Sequence, residues 1–125
     1  MFLRKVLAAT FAATILASGT AFAEEPTQKT VEALNVEKAQ LGGKQVQFKG
    51  KVVKVNNGIM NKNFLHIQDG TGGKGNNDVT VTSMQTAAVG DQVTIVGKVA
   101  LNKDFGAGYI YPLIIEDAAI SPDKK

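Results

Sequence analysis

The glycine-rich stretch HIQDGTGGKGNNDVTV, residues 66–81, contains the pattern G-x-G-x-x-G at Gly70, Gly72 and Gly75. That spacing holds a dinucleotide pyrophosphate when a strand precedes the glycines and a helix follows them. Here the segment after the glycines, Asp78 to Ser83, alternates in the manner of a strand. Because no helix N-terminus is available to face a pyrophosphate, we expect no nucleotide cofactor, and no other cofactor is indicated.

Two other readings of this stretch also fail on spacing. Lys74 is followed by Gly75, where a Walker A loop has Ser or Thr. A calcium loop needs carboxylates at alternate positions and a closing Glu, which Asp69 and Asp78 do not supply. We therefore predict a structural turn between two strands, opened by Asp69 and Gly70, in which Gly70 and Gly72 are free to adopt positive φ.

Residue counts limit the catalytic and metal chemistry of the chain. It has a single His, His66, and no Cys. Neither a Ser-His-Asp nor a Cys-His arrangement can therefore be proposed, and a transition-metal site is not expected. His66 has no partner in the sequence that would make it a general base. We expect a binding protein and not an enzyme.

Residues 1–23 have the composition of a secretory signal peptide. Arg4 and Lys5 form a positive segment, Val6 to Ala17 is apolar, and Ala21 and Ala23 are small residues before a cleavage site. The apolar run is shorter than the roughly 20 residues that span a bilayer, so we predict cleavage after Ala23 and no membrane anchor. The mature chain is expected to be periplasmic or secreted.

The positive charge of the chain is unevenly distributed. Removal of Arg4 and Lys5 lowers the formal net charge from +3 to +1, because 12 Lys and Arg then face 11 Asp and Glu. A general affinity for polyanions is not expected at that charge. From Lys38 to Gln68, however, there are six lysines and no acidic residue.

The hydrophobic pattern predicts one small domain made of strands. After a linker and short helix over residues 24–42, apolar residues alternate in five segments, and a phase slip follows Gly50. Residues 84–91 form a spacer with room for one helical turn, and a disordered tail is expected at 121–125. The five predicted strands are residues 46–57, 63–69, 78–83, 92–101 and 109–120.

This order of elements predicts an all-β fold, a five-stranded OB-fold barrel over residues 43–120 with a short or vestigial helix between strands three and four. An SH3-like barrel is the competing architecture.

The sequence also resembles a known group of proteins. The strand that ends in QDGTG, followed by a valine-rich strand, resembles the hairpin between the second and third strands of OB-fold domains that bind anticodons or single-stranded nucleic acid. VQFKGKVVKV is similar to their first strand and VGDQVTIVGKV to their fourth. With a signal peptide in front, the chain resembles small exported bacterial OB-fold proteins, including a periplasmic, stress-associated group. The resemblance covers about residues 43–120.

The resemblance implies a groove on the face of the sheet, with lysines for a phosphate backbone and aromatic rings for bases. Lys51 and Lys54 are equally typical of a solvated strand face. Phe64 is either a stacking platform or a packed residue. Tyr109 and Tyr111 share one side of the last strand, and because both sides are apolar the period leaves open which side faces inward. The predicted ligand-binding residues are Lys51, Lys54, Phe64, His66, Tyr109 and Tyr111.

Two functions remain open. The first is a monomeric, exported module that binds single-stranded nucleic acid or another extended anionic polymer in the groove. The second is an envelope or stress module that binds a small ligand, a cation or an envelope protein partner. The acidic loop residues Asp69, Asp78 and Asp104 would matter more than the lysines in that second case.

Overall fold

The computed structural model describes residues 25–106 and 108–123. The predicted signal peptide, residues 1–23, lies outside these ranges. Within them, no helix combines the length and the apolar composition needed to cross a membrane. The elements are β1 (Thr27–Gln28), α1 (Val31–Val36), α2 (Lys38–Leu41), β2 (Gln45–Ile59), β3 (Lys62–Gln68), β4 (Val79–Ser83), β5 (Gln92–Asp104) and β6 (Ile110–Pro122).

The five longer strands form a sheet whose two edges meet. β2 pairs with β3, β3 with β4, and β5 with β6, all antiparallel, while β4 pairs with β6 in parallel. β5 returns to β2 in an antiparallel pairing, which closes the sheet. β1 adds a short parallel pair to β2. The chain is therefore mostly β, as the alternation of the sequence predicted.

β2 bends and pairs with two different strands. Its first half, residues 45–51, pairs with β5, and its second half, from Lys51 to Ile59, pairs with β3. At Gly50 a Cβ atom would lie 2.6 Å from Cγ2 of Ile67 and 2.8 Å from the backbone oxygen of Gln68. The register shifts between Val52 and Lys54. Glycine is thus required where β2 approaches β3, and the bulge follows at once.

The interior of the closed sheet is filled by aliphatic side chains and one phenylalanine. Every long strand contributes, and the N-terminal helices add Val31, Leu34 and Leu41 to the same core. Because a closed sheet can be entered only from its ends, these helices lie over one of them. The strand residues of the core are Val46, Phe48, Val52, Leu65, Ile67, Val79, Val81, Val93, Ile95, Val99, Leu113, Ile115, Ala118 and Ile120.

The helix expected between the third and fourth long strands is absent from residues 84–91, and that part of the prediction is wrong. The segment ends in a turn in which the backbone N–H of Asp91 donates to the carbonyl of Ala88 at 3.0 Å. The N–H of Gly90 donates to the carbonyl of Val52 at 2.8 Å, which ties the turn to β2.

The two ends of the domain also differ from the sequence-based expectation. Within the predicted linker, Thr27 and Gln28 pair with β2, and the predicted helix is divided at Glu37 into α1 and α2. At the other end, β6 pairs with β5 as far as Pro122, and the N–H of Asp123 donates to the carbonyl of Gln92 at 2.8 Å. The segment 121–123 is therefore a paired strand end and not a tail.

The turn after β3 connects the sheet to the first helix. Gly70 and Gly72 have φ angles of 86° and 81°. One carboxylate oxygen of Asp69 accepts from the N–H of Thr71 at 3.0 Å, and the other accepts from the N–H of Val31 at 2.9 Å. The Thr71 hydroxyl oxygen accepts from the N–H of Glu32 at 3.0 Å. The turn thus satisfies N–H groups at the start of α1, a role that the local sequence did not indicate.

The carboxyl group of Asp69 is held in its charged form. Partial burial, which alone would raise its pKa, is outweighed by hydrogen bonds from the Thr71 hydroxyl and from the N–H groups of Val31 and Thr71. These bonds lower the pKa of Asp69 below its ordinary value.

We expect Gly50→Ala to lower the free energy of unfolding by about 1–3 kcal/mol, because the added methyl group collides with Ile67 and the backbone of Gln68. The matched control is Gly73→Ala, where a Cβ meets nothing within 4 Å. That variant should stay within about 0.5 kcal/mol of the parent chain. Urea denaturation followed by circular dichroism measures both. Equal stability of the two variants would contradict the close approach of β2 to β3.

Asp69→Asn should cost about 1 kcal/mol of stability at neutral pH, because hydrogen bonds to the charged carboxylate are lost. The folded pKa of Asp69 is below the unfolded value of about 3.9, so this contribution is present above that pH and is lost as the pH falls through the folded pKa. Urea denaturation between neutral pH and about pH 3 should therefore show the two stabilities converging below about pH 4. A constant difference down to the lowest pH would contradict the assignment.

Candidate ligand-binding cleft

A cleft of about 300 Å³ opens between the β2–β3 turn and the β5–β6 loop. We call it the aromatic cleft. Four of the six predicted binding residues line it together, namely Phe64, His66, Tyr109 and Tyr111. The other lining residues are Asn56, Ile59, Met60 and Phe105.

One rim of the aromatic cleft is the tight turn between β2 and β3. Asn56, Asn57 and Gly58 are residue types typical of turns, yet β2 continues to Ile59, which pairs with Lys62. Met60 and Asn61 form the turn, with φ angles of 54° and 64°. Positive φ at both central residues is typical of a two-residue hairpin turn. The turn leaves Ile59 and Met60 exposed by 45% and 50%.

The other rim is the loop between β5 and β6. The N–H of Phe105 donates to the carbonyl of Tyr109 at 2.9 Å, and the N–H of Tyr109 donates to the carbonyl of Gly106 at 2.9 Å. The carboxylate of Asp104 accepts from the N–H of Gly106 at 2.7 Å. These bonds hold the loop in a compact form. Tyr109 remains 65% exposed and is available to a ligand.

Three aromatic rings pack together inside the cleft. The Phe64 ring meets that of Phe105 edge to face, with 5.4 Å between centroids, and lies 6.2 Å from that of Tyr111. Phe105 and Tyr111 are also edge to face at 5.7 Å. Phe64 is consequently only 5% exposed. It forms the floor of the cleft and joins the two hairpins. Of the two alternatives for Phe64, the structure favours a packed residue over a free stacking platform.

His66 has a partner that the sequence did not reveal. Its Nδ1 lies 3.0 Å from Oδ1 of Asp78, and Nε2 of Gln68 donates to the other carboxylate oxygen at 3.3 Å. Asp78 comes just before β4, which lies beside β3 in the sheet. The residue spacing gives no signal of this contact, because it arises only when β3 and β4 pair. The imidazole is 26% exposed and lines the cleft.

The two predicted lysines do not enter the aromatic cleft. Lys54 is exposed and stands opposite His66 in the β2–β3 ladder, beside the cleft. Lys51 stands opposite Gln68 and lines a second, more polar depression of about 520 Å³. The other residues of that depression are Lys49, Gly50, Val53, Gln68, Asp69, Gly70, Gln92 and Asp123.

Ile59, Met60 and Asn56 are cleft residues that sequence reasoning missed. An exposed Ile-Met pair at a hairpin turn is a usable signal, since large apolar residues are otherwise uncommon there.

Across the described residues, no three His, Asp or Glu side chains are grouped so that they could hold a metal ion.

Comparison with known proteins supports a fold and nothing finer. No family model and no curated protein matches the chain. Among solved structures, it is similar to a protein of Leishmania major Friedlin described as an aspartyl-tRNA synthetase, with a TM-score of 0.58 and 14% identity. The match covers 89% of this chain and 23% of the Leishmania protein, so this chain spans about a quarter of the length of that protein. It is also similar to OBody AM3L09, solved bound to hen egg-white lysozyme, with a TM-score of 0.56 and 15% identity. That match covers 80% of this chain and 96% of the OBody chain.

Phe64→Ala should lower the free energy of unfolding by about 3 kcal/mol, because it removes a buried ring and leaves a cavity between the hairpins. Tyr109→Ala, at the exposed rim of the same cleft, should change stability by less than about 0.5 kcal/mol. Urea denaturation by circular dichroism is suitable because the chain has no Trp. If both variants were equally stable, Phe64 would be a surface residue and not the floor of the cleft.

Proposed function

We propose that the chain is an exported OB-fold binding module. The support for this fold is the order in which five strands close the sheet, together with the likeness to the two solved structures. OB-folds bind ligands across one face of the sheet, between the first hairpin turn and the last hairpin loop. In this chain those two segments are the rims of the aromatic cleft.

We further propose that the ligand is a single-stranded nucleic acid or a similar extended anionic polymer. The observation that carries this proposal is a row of outward side chains on β2 and β3. Three cross-strand pairs follow one another: Asn56 with Phe64, Lys54 with His66, and Lys51 with Gln68. Along β3 the row is roughly 13 Å long. It leads from the aromatic cleft to the depression that contains Lys49 and Lys51.

Each end of this row suits a different part of a nucleotide chain. A base can stack on the exposed ring of Tyr109, while Lys54 and Lys51 contact the phosphates that follow. Two phosphate contacts on a single strand predict a shallow salt dependence, with log K falling by roughly 1.4 per tenfold rise in salt. The low net charge of the mature chain agrees with modest affinity.

The first test measures fluorescence anisotropy of an end-labelled single-stranded oligonucleotide titrated with the purified protein. Lys54→Gln and Lys51→Gln should each weaken binding and lower the salt slope by roughly 0.7, since each removes one phosphate contact. The matched control is Lys98→Gln, an exposed lysine of β5 that stands opposite Gln45 at the far end of β2. No binding at low salt, or equal losses in all three variants, would refute the polymer proposal.

A second candidate function is supported by the apolar rim of the cleft. Ile59, Met60, Tyr109 and Ile110 are all more than 40% exposed and lie on the two segments that flank it. Exposed apolar residues in such a group are typical of a protein or small-ligand contact. In that case Tyr109→Ala would abolish capture of an envelope protein partner, while Lys51→Gln and Lys54→Gln would have no effect.

A further inference from the structure

The contact between His66 and Asp78 fixes the proton arrangement of the imidazole. A carboxylate has only hydrogen-bond acceptors, so the Nδ1 atom that lies 3.0 Å from Oδ1 of Asp78 must carry the hydrogen. In the neutral imidazole, the other nitrogen, Nε2, then has a free lone pair and can only accept. The single histidine of the chain is thus set as an acceptor.

Asp78 is itself held in place from two sides. Gln68 donates to its carboxylate, and Nδ2 of Asn35 on α1 donates to its backbone carbonyl at 3.1 Å. The same Asn35 nitrogen also donates to the carbonyl of Val31 at 2.9 Å, which fixes it to its own helix. His66 lines the aromatic cleft and Asp78 does not. Because Nδ1 is occupied by Asp78, Nε2 is the ring nitrogen left for a ligand in the cleft.

We propose that His66 Nε2 recognises an N–H donor on the edge of a flat ring bound in the aromatic cleft, as on an unpaired nucleobase. This inference rests on the proposed function, because it names the part of the polymer that the cleft selects. A cleft that offers the exposed ring of Tyr109 for stacking and one acceptor at the side matches how proteins read splayed-out bases. Protonation of His66 would turn Nε2 into a donor and remove this recognition.

The charged and titratable groups around His66 agree with this assignment. Asp78 faces it from the segment before β4, and Lys54 stands opposite it on β2. Tyr109 and Tyr111 share the cleft from the β5–β6 hairpin. Asp78 is the one group placed within hydrogen-bond distance of the ring among the described residues, so it determines which nitrogen is protonated.

The first measurement is nuclear magnetic resonance of protein labelled with ¹⁵N-histidine. Because His66 is the only His, no residue assignment is needed, and the couplings of each ring nitrogen to the carbon-bound ring hydrogens distinguish Nδ1 from Nε2. With the imidazole neutral, Nδ1 should have the signal of a protonated nitrogen and Nε2 that of an unprotonated one. A dominant Nε2–H form would overturn the proposal without any ligand or variant.

The second measurement compares two labelled oligonucleotides, one of thymine and one of N3-methylthymine, which lacks the N3–H donor. The parent protein should bind the thymine strand about fivefold to tenfold more tightly, as expected for one hydrogen bond. His66→Phe keeps a flat ring without the acceptor and should bind both strands equally. Tyr109→Ala, which removes only stacking, should weaken both strands and leave their ratio unchanged.

The outcomes separate this inference from the proposed function. If both strands bind with equal affinity to the parent protein, the acceptor role is wrong and the polymer function stands. If neither strand binds, the polymer function is wrong, and the free nucleosides thymidine and 3-methylthymidine decide the inference. A shift of the Nε2 signal with thymidine alone would support it, and no shift, or equal shifts with both, would overturn it.

Discussion

The bend of β2 at Gly50 is the constraint on which the rest of the molecule depends. A single strand must pair with β5 through its first half and with β3 through its second, or the sheet stays open. The bend brings β2 so close to β3 that a methyl group at residue 50 has no room. The bulge that follows resets the alternation, so that Val52 points inward while Lys54 joins the outer face beside His66. Core and outer face are thus separated within a few residues of one strand.

Closure of the sheet also creates the aromatic cleft. β5 continues from Ala100 to Asp104 beyond its pairing with β2, and β2 continues to Ile59 beyond its pairing with β5. The tips of the two hairpins therefore extend past the closed part of the sheet. Phe64, Phe105 and Tyr111 fill the space between them and hold them together. Exposed aromatic and aliphatic residues at the tips are what a ligand would meet first.

The N-terminal helices are part of the same structure and not an appendage. Val31 and Leu34 are fully buried in the core, and the turn at Asp69 and Thr71 satisfies the first N–H groups of α1. Toward the C-terminal end of α1, Asn35 donates to the carbonyl of Asp78, whose carboxylate faces His66. A helix that completes the core thereby also fixes the segment that orients the imidazole. A change that loosens α1 would therefore alter the position of His66 in the cleft, although no residue of α1 lines the cleft.

The five long strands could be predicted from the sequence, because a period of two in apolar residues follows directly from the pleat. It also indicated the bend, from Gly50 and the phase slip after it, and the turn, from Asp69 and Gly70. Four of six predicted binding residues share one cleft, because alternation assigns Phe64 and His66 to the outer face of β3. The same local rules misplaced a helix at 84–91, since they do not register that this segment hydrogen-bonds to β2 through Gly90.

The packing and hydrogen-bond partners of those side chains depend on tertiary contacts. Whether Phe64 is free or packed depends on Phe105 and Tyr111, which come from a distant hairpin. The His66–Asp78 pair spans two strands, and its geometry depends on their register. Lys51 and Lys54 look equivalent in the sequence but lie on opposite sides of a bulge. These contacts are set by strand pairing and loop closure. Both join residues far apart in the chain, so the local sequence carries no signal of them.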